Sequence, residues 1–171
     1  MALWGLDLEL AQVVAGTTDA MIGQIRLAWW REALEALDTG KVPAQPLLQL
    51  LASEVVPRGI TGAELAGLED RWLGLIASDD VPPAHIEGGG ALFALAARLL
   101  GGDVAAGQRL GLAWTAGDSF VGRIPPVLRP LFGLVRLAAR DAARARQGSE
   151  REPRGSAGRQ LRLLAAIAFG R

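Results

Sequence analysis

Apolar residues recur every three or four positions along most of this chain, the spacing of helices that bury one side. Residues 21–37 show it best. At roughly 100° of rotation per residue, Ile22, Ile25, Leu27, Trp29, Trp30, Ala33, Leu34, Ala36 and Leu37 share one broad arc. Gln24, Arg31, Glu32, Glu35 and Asp38 cover the other side, and the acidic run there reads as solvated. Arg26 falls inside the apolar arc beside Trp30. It must snorkel, stack on an indole or meet a carboxylate, because an unpaired buried charge is too costly. Glu69, which lies inside the apolar stripe of a later helix, is the candidate partner.

The same pattern predicts the other elements. Residues 3–15 form a helix with Leu3, Leu6, Leu10, Val13 and Val14 on one side, and the chain begins so close to this helix that an earlier one is expected in fuller relatives. Gly16–Thr18 break it, Asp19 caps the 21–37 helix, and Gly40 ends that helix. Residues 47–55 make a short helix stopped by Pro57. Thr61 and Glu64 have capping-box spacing at the start of a helix reaching residue 77, with Leu65, Leu68, Trp72, Leu75 and Ile76 as its stripe. Helices follow over 85–100, over 104–121 (capped by Asp103, with Leu110, Trp114, Gly117 and Val121 on one face) and over 131–146. Residues 147–158 read as a polar, mobile linker. A last helix, 160–169, points Leu161, Leu164, Ala165 and Ala168 inward.

Composition agrees with an all-α chain: alanine and leucine dominate, and β-branched residues and tyrosine are scarce. At 171 residues the chain suits one domain, 1–171. It has no cysteine and a single histidine, which excludes disulfides, thiolate chemistry and multi-histidine metal sites. His85 reads as a surface or capped histidine. Gly88–Gly90 resemble a phosphate loop only superficially, because no strand precedes them and no lysine follows. Small residues there, and Gly107 and Gly111 four apart, suit close helix packing instead.

Charge changes the picture. Residues 1–122 carry 7 basic and 15 acidic side chains, whereas 123–171 carry 11 arginines and 3 acids. Arg136, Arg140 and Arg144 fall at i, i+4 and i+8 on one helix as a basic stripe. This tail is open to a solvated-face reading or to an anionic partner. Nucleic acid is the weak option, since only Phe132 and Phe169 could stack on bases there. No run of about 18 apolar residues and no basic leader occur. The expectation is a cytoplasmic protein, with peripheral membrane association left open.

Four stretches in order carry a resemblance: GQIRLAWWREALEAL (23–37), GGGALFALAARLLGG (88–102), GLAW (111–114) and RIPPVLRP (123–130). Together they resemble the squalene/phytoene synthase family, especially its short bacterial members related to a respiratory complex I assembly factor. The resemblance implies a shortened isoprenoid-synthase-like helical bundle. Active members of the family join prenyl diphosphates head to head, using Mg²⁺ held by two aspartate-rich motifs. Here the first motif falls near 10–14, and its aspartate positions are Leu10 and Val14. The aspartate position of the second is Gly122.

Asp7, Glu9 and Asp118 are the residual metal candidates, and Asp7 and Glu9 diverge by roughly 200° on a helix. Arg26, Trp30, Asp118, Arg136 and Arg140 are the candidate diphosphate or ligand contacts. The expectation is therefore a non-catalytic scaffold, assembly or lipid/partner-binding protein. It would need no cofactor and would engage a protein, a membrane surface or a prenyl lipid. A prenyl transferase with a rearranged Mg²⁺ site and a basic nucleic-acid-binding module are the alternatives.

Overall fold

A computed structural model describes residues 2–76, 78, 80–153 and 155–170. Among them the secondary structure is helical throughout, joined by 3-10 turns, with no strand. The chain divides into two compact units, residues 1–88 and 89–171.

The first unit contains α1 (Ala2–Ala15), α2 (Ala20–Glu35), α3 (Pro46–Glu54), α4 (Gly62–Ala66) and α5 (Asp70–Leu73). The expected caps form. Asp19 accepts from the backbone N–H of Met21 at 2.8 Å, and Gly40 closes the 3-10 turn after α2 at φ 74°. Thr61 and Glu64 make the reciprocal capping box. α1 buries Leu3, Leu6, Leu10 and Val13 as its pattern requires, together with Asp7.

Several expectations change in this unit. The helix expected over 62–77 is instead α4, a 3-10 turn (Gly67–Glu69) and α5; the expected end at Ala77 lies outside the described residues. Leu65 and Leu68 are fully buried within it. The second change is the rotation of α2. Gly23, Leu27, Trp30, Ala33 and Leu34 face inward, while Met21, Ile22, Ile25 and Trp29 are exposed. The arc is wider than its neighbours cover: α2 packs against α4, α1 and the 67–69 turn, and the side of the arc with Met21, Ile22, Ile25 and Trp29 is left exposed.

Arg26 consequently lies on the solvent side. Its Nη1 is 3.4 Å from the Thr17 hydroxyl, and Glu69 pairs with Arg31 instead. The Arg31 Nε donates to Glu69 Oε2 at 2.9 Å, and Asp70 also accepts from Arg31. Asp38, expected to be solvated, accepts from the backbone N–H groups of Gly62 and Ala63 at 2.6 and 3.0 Å. It thereby holds the start of α4, where free amides favour a carboxylate.

α6 (Pro83–Leu99) crosses the boundary between the units, and α7 (Val104–Ala116), α8 (Arg129–Arg146) and α9 (Ala157–Phe169) complete the second. The small residues do bring backbones together. A Cβ at Gly111 would sit 2.2 Å from the Gly89 carbonyl oxygen, and one at Gly107 would sit 2.8 Å from that of Phe93. Asp103 caps α7, accepting from Ala106 N–H at 2.6 Å. α7 stops at Ala116 because Gly117 turns left-handed, φ 69°. Asp118 is therefore beyond the helix rather than on it, and Val121 is solvent-exposed rather than on the packed face.

α8 and α9 pack antiparallel: Leu163 fills the space beside Gly133, and Arg129 Nη1 donates to the Ala168 carbonyl at 2.8 Å. α9 starts earlier than expected, at Ala157, with Ser156 as its cap. Its facing reverses the expectation. Arg159, Arg162, Leu163 and Ala166 turn toward α8, and Leu161, Leu164, Ala165 and Ala168 turn outward. The segment before it is tied down by Glu150, Arg151 and Glu152, which all bond to α8.

Candidate functional site

The first unit buries charge. Asp7 sits on the leucine side of α1 and Arg71 on α5, and they are 7% and 2% exposed. Arg71 Nη1 donates to Asp7 Oδ1 at 3.0 Å, and the Trp72 indole N–H donates to the same oxygen at 3.1 Å. The guanidinium also lies 4.9 Å from the Trp72 ring centre, within cation–π range. A Cβ at Gly88 would meet Arg71 Cβ at 2.4 Å, so the first glycine of the triplet makes room for this arginine's stem.

His85, at the start of α6, completes the group. Its Nδ1 is 2.8 Å from the Arg71 carbonyl, and a carbonyl can only accept. Nδ1 therefore carries the proton, and Nε2 offers its lone pair to Arg71 Nη2 at 3.3 Å. The ring also stands edge-on to Trp72, 5.0 Å between centroids. Burial pushes the His85 pKa down, the Arg71 charge adds to this, and the hydrogen bond to the Arg71 carbonyl opposes it. Burial likewise pushes the Asp7 carboxyl up against the pull of Arg71 and Trp72, and pushes the Arg71 guanidinium down against the pull of Asp7. The neutral histidine engages both nitrogens with Arg71. A general base needs a lone pair aimed at substrate, and the lone pair of Nε2 is aimed at a guanidinium. The chemistry this cluster performs is to join α1, α5 and α6.

The residual metal candidates do not assemble an Mg²⁺ site. Asp7 is engaged by Arg71 and Trp72, Glu9 is half-buried two residues on, and Asp118 is exposed after α7. Among the described residues no three histidine or carboxylate side chains converge as metal ligands. Mg²⁺ prefers a near-octahedral set of oxygens, and these residues do not fit it.

The candidate ligand contacts are also dispersed. Trp30 is a core residue with its ring edge-on to Trp29 at 5.2 Å, and Arg26 reaches only Thr17. Arg136 lies 5.9 Å from the Phe132 ring centre. Arg140 grips Glu152 through Nε and Nη2 at 3.1 and 3.0 Å.

That last contact belongs to an arginine cluster between α8 and α9. Glu152 also accepts from Arg162 at 2.7 Å. Asp141 accepts from Arg151 at 2.7 Å and from Arg159 at 2.5 Å. Each carboxylate thus holds two guanidiniums. Hydrogen bonds from Arg162 and Arg140 hold the Glu152 pKa below its ordinary value. For Asp141 burial pushes upward, but the bond from Arg159 and the charges of Arg151 and Arg159 together outweigh it and lower the pKa.

Sequence reasoning flagged Asp7 and missed Arg71. Arg71 lies within the helix expected to reach residue 77 but outside its apolar stripe, and its partner is 64 positions away. The only signal was Asp7 itself, a lone carboxylate on a leucine face that requires a cation. Compared with known proteins, the chain matches no family model, no curated protein and no solved structure.

Proposed function

We propose that this chain is a non-catalytic helical scaffold, built on a shortened isoprenoid-synthase-like bundle, that works by binding a partner. The observation that supports the reading is the fate of Asp7. The one carboxylate buried on the α1 face where the resembled family carries metal ligands is committed to Arg71 and Trp72. Committed in this way, Asp7 fastens helices together rather than presenting oxygen to a metal–diphosphate. The positions that would supply its neighbouring ligands are Leu10 and Val14, both apolar.

The reading predicts that farnesyl diphosphate shows no Mg²⁺-dependent heat of binding to the full chain in calorimetry, and that no diphosphate is released on incubation with Mg²⁺. Saturable, Mg²⁺-dependent binding, or turnover above a heat-killed control, would replace it with the prenyl transferase reading.

A further inference from the structure

We propose that the outward face of α9 is a docking element for an anionic lipid bilayer, lying flat in the interface. This names the partner class for the scaffold reading and rests on that reading only for calling the binding non-catalytic.

The argument begins with how α9 is turned. Leu161, Leu164 and Phe169 are 66%, 61% and 70% exposed. With Ala165 and Ala168, also exposed, they fall at i, i+3, i+4, i+7 and i+8, one continuous apolar stripe of just over two turns. The helix interrupts this stripe with no charge. Its two arginines point the other way, into the carboxylates of the α8–α9 cluster. An interfacial helix has this form: leucine and phenylalanine on one face, arginine on the other.

Charge selects the occupant. Asp141 and Glu152 are each shared by two arginines, so four guanidiniums meet two carboxylates behind the stripe, on the α8 side of the helix. Arg162 follows Leu161 directly and keeps 32% of its side chain exposed, and Arg129 sits against the C-terminal end of α9. Residues 89–171 carry 13 basic and 5 acidic side chains, a net of +8. Basic residues flanking a surface-seated apolar face draw it to anionic headgroups over a Debye length or so. The exposed stripe of α2 lacks this support, since residues 1–88 carry 5 basic and 13 acidic side chains, a net of −8. No helix of the described residues is long and apolar enough to cross a membrane; the contact would be peripheral.

The test is sedimentation of the full chain with vesicles of phosphatidylcholine alone and of phosphatidylcholine mixed with phosphatidylserine. Binding is expected to the mixed vesicles, weakening as salt rises. It is expected to fall by about tenfold or more in Leu161→Asp/Leu164→Asp, as removing two apolar contacts implies, and to persist in Ile25→Asp on α2. A Leu164→Trp variant gives a reading that does not depend on disrupting the face: its emission should shift to the blue on mixed vesicles.

Absence of binding to mixed vesicles, equal binding to phosphatidylcholine alone, or undiminished binding by the folded double variant would overturn the proposal. So would a stable dimer that the double variant abolishes in the absence of vesicle binding, which would assign the face to a second copy. Mg²⁺-dependent farnesyl diphosphate binding would remove the scaffold reading and leave the vesicle result standing.

Discussion

The two units handle charge in opposite ways. In the first, the buried Asp7 and Arg71 are matched one to one, with Trp72 and His85 filling the remaining positions, and a second buried carboxylate, Glu69, is held by Arg31. In the second, two carboxylates hold four arginines at a half-open helix–helix seam, and cation is left over. Burial makes the first arrangement intolerant of change, because removing either partner strands a charge in a poor dielectric. Partial exposure, greatest at Arg140 and Arg151, makes the second more tolerant and more screened than the first. The same contrast runs through the apolar residues. α1 carries an aspartate inward with its leucines, whereas α9 carries its arginines inward and leaves its leucines outside.

Substitutions sharpen the contrast, and the largest effect belongs at Asp7. Asp7→Ala removes the carboxylate that the buried guanidinium faces, and a loss of about 3 kcal/mol in denaturant-measured stability is expected. Asp7→Asn keeps an acceptor for the indole and should cost visibly less. Equal losses would mean that the charge, and not the acceptor for the indole, is what Asp7 supplies.

A smaller effect is expected from pH. The folded His85 pKa lies below the ordinary value of about 6.5, so the unfolded chain binds more protons in the interval between the two. Stability is complete above about pH 6.5, declines as pH falls through the interval, and levels off below the folded pKa. Structurally, a second proton would place Nε2–H against Arg71 Nη2. His85→Gln should flatten the stability profile in that interval, and a variant that retained the full slope would put its origin elsewhere.

The smallest effect belongs to the seam of the second unit. Asp141→Asn should cost less than about 1 kcal/mol at low salt and nearly nothing in 1 M salt. The pKa values of Asp141 and Glu152 are lowered by their arginines. Their contribution is therefore present above the ordinary carboxylate pKa and lost as pH falls through the lowered folded values. Hydrogen exchange localised to α9 would report this loss. A global loss as large as that of Asp7→Ala would erase the distinction between the two arrangements.

The candidate site was half legible. Asp7 was named only as a residual metal ligand near the expected first motif, and its place among Leu3, Leu6 and Leu10 gives it a different role, as the partner of a buried arginine. Arg71 was not named, because its neighbours are charged and its burial is decided by α1 and by the glycine at 88. Glu69 was expected to pair with Arg26, and that pairing does not form. Its partner is Arg31, from the side of the helix expected to be solvated, because α2 is turned differently from the expected arc.

By itself the sequence determined the elements whose signals are local. Helix starts at Asp19, Thr61 and Asp103 follow from a side-chain oxygen meeting free amides within three residues, and the buried side of α1 follows from a single narrow stripe. The close approaches at Gly107 and Gly111 follow from missing side chains. Tertiary structure alone decided how α2 and α9 are turned. Each carries more apolar surface than its neighbours cover, so the periodicity allowed more than one facing. The choice fell to groups distant in sequence: α4 against α2, and on α8 the space at Gly133 with the carboxylate of Asp141, reinforced by Glu152. A helix pattern records that an apolar side exists, and only the packed neighbours determine which part of it meets water.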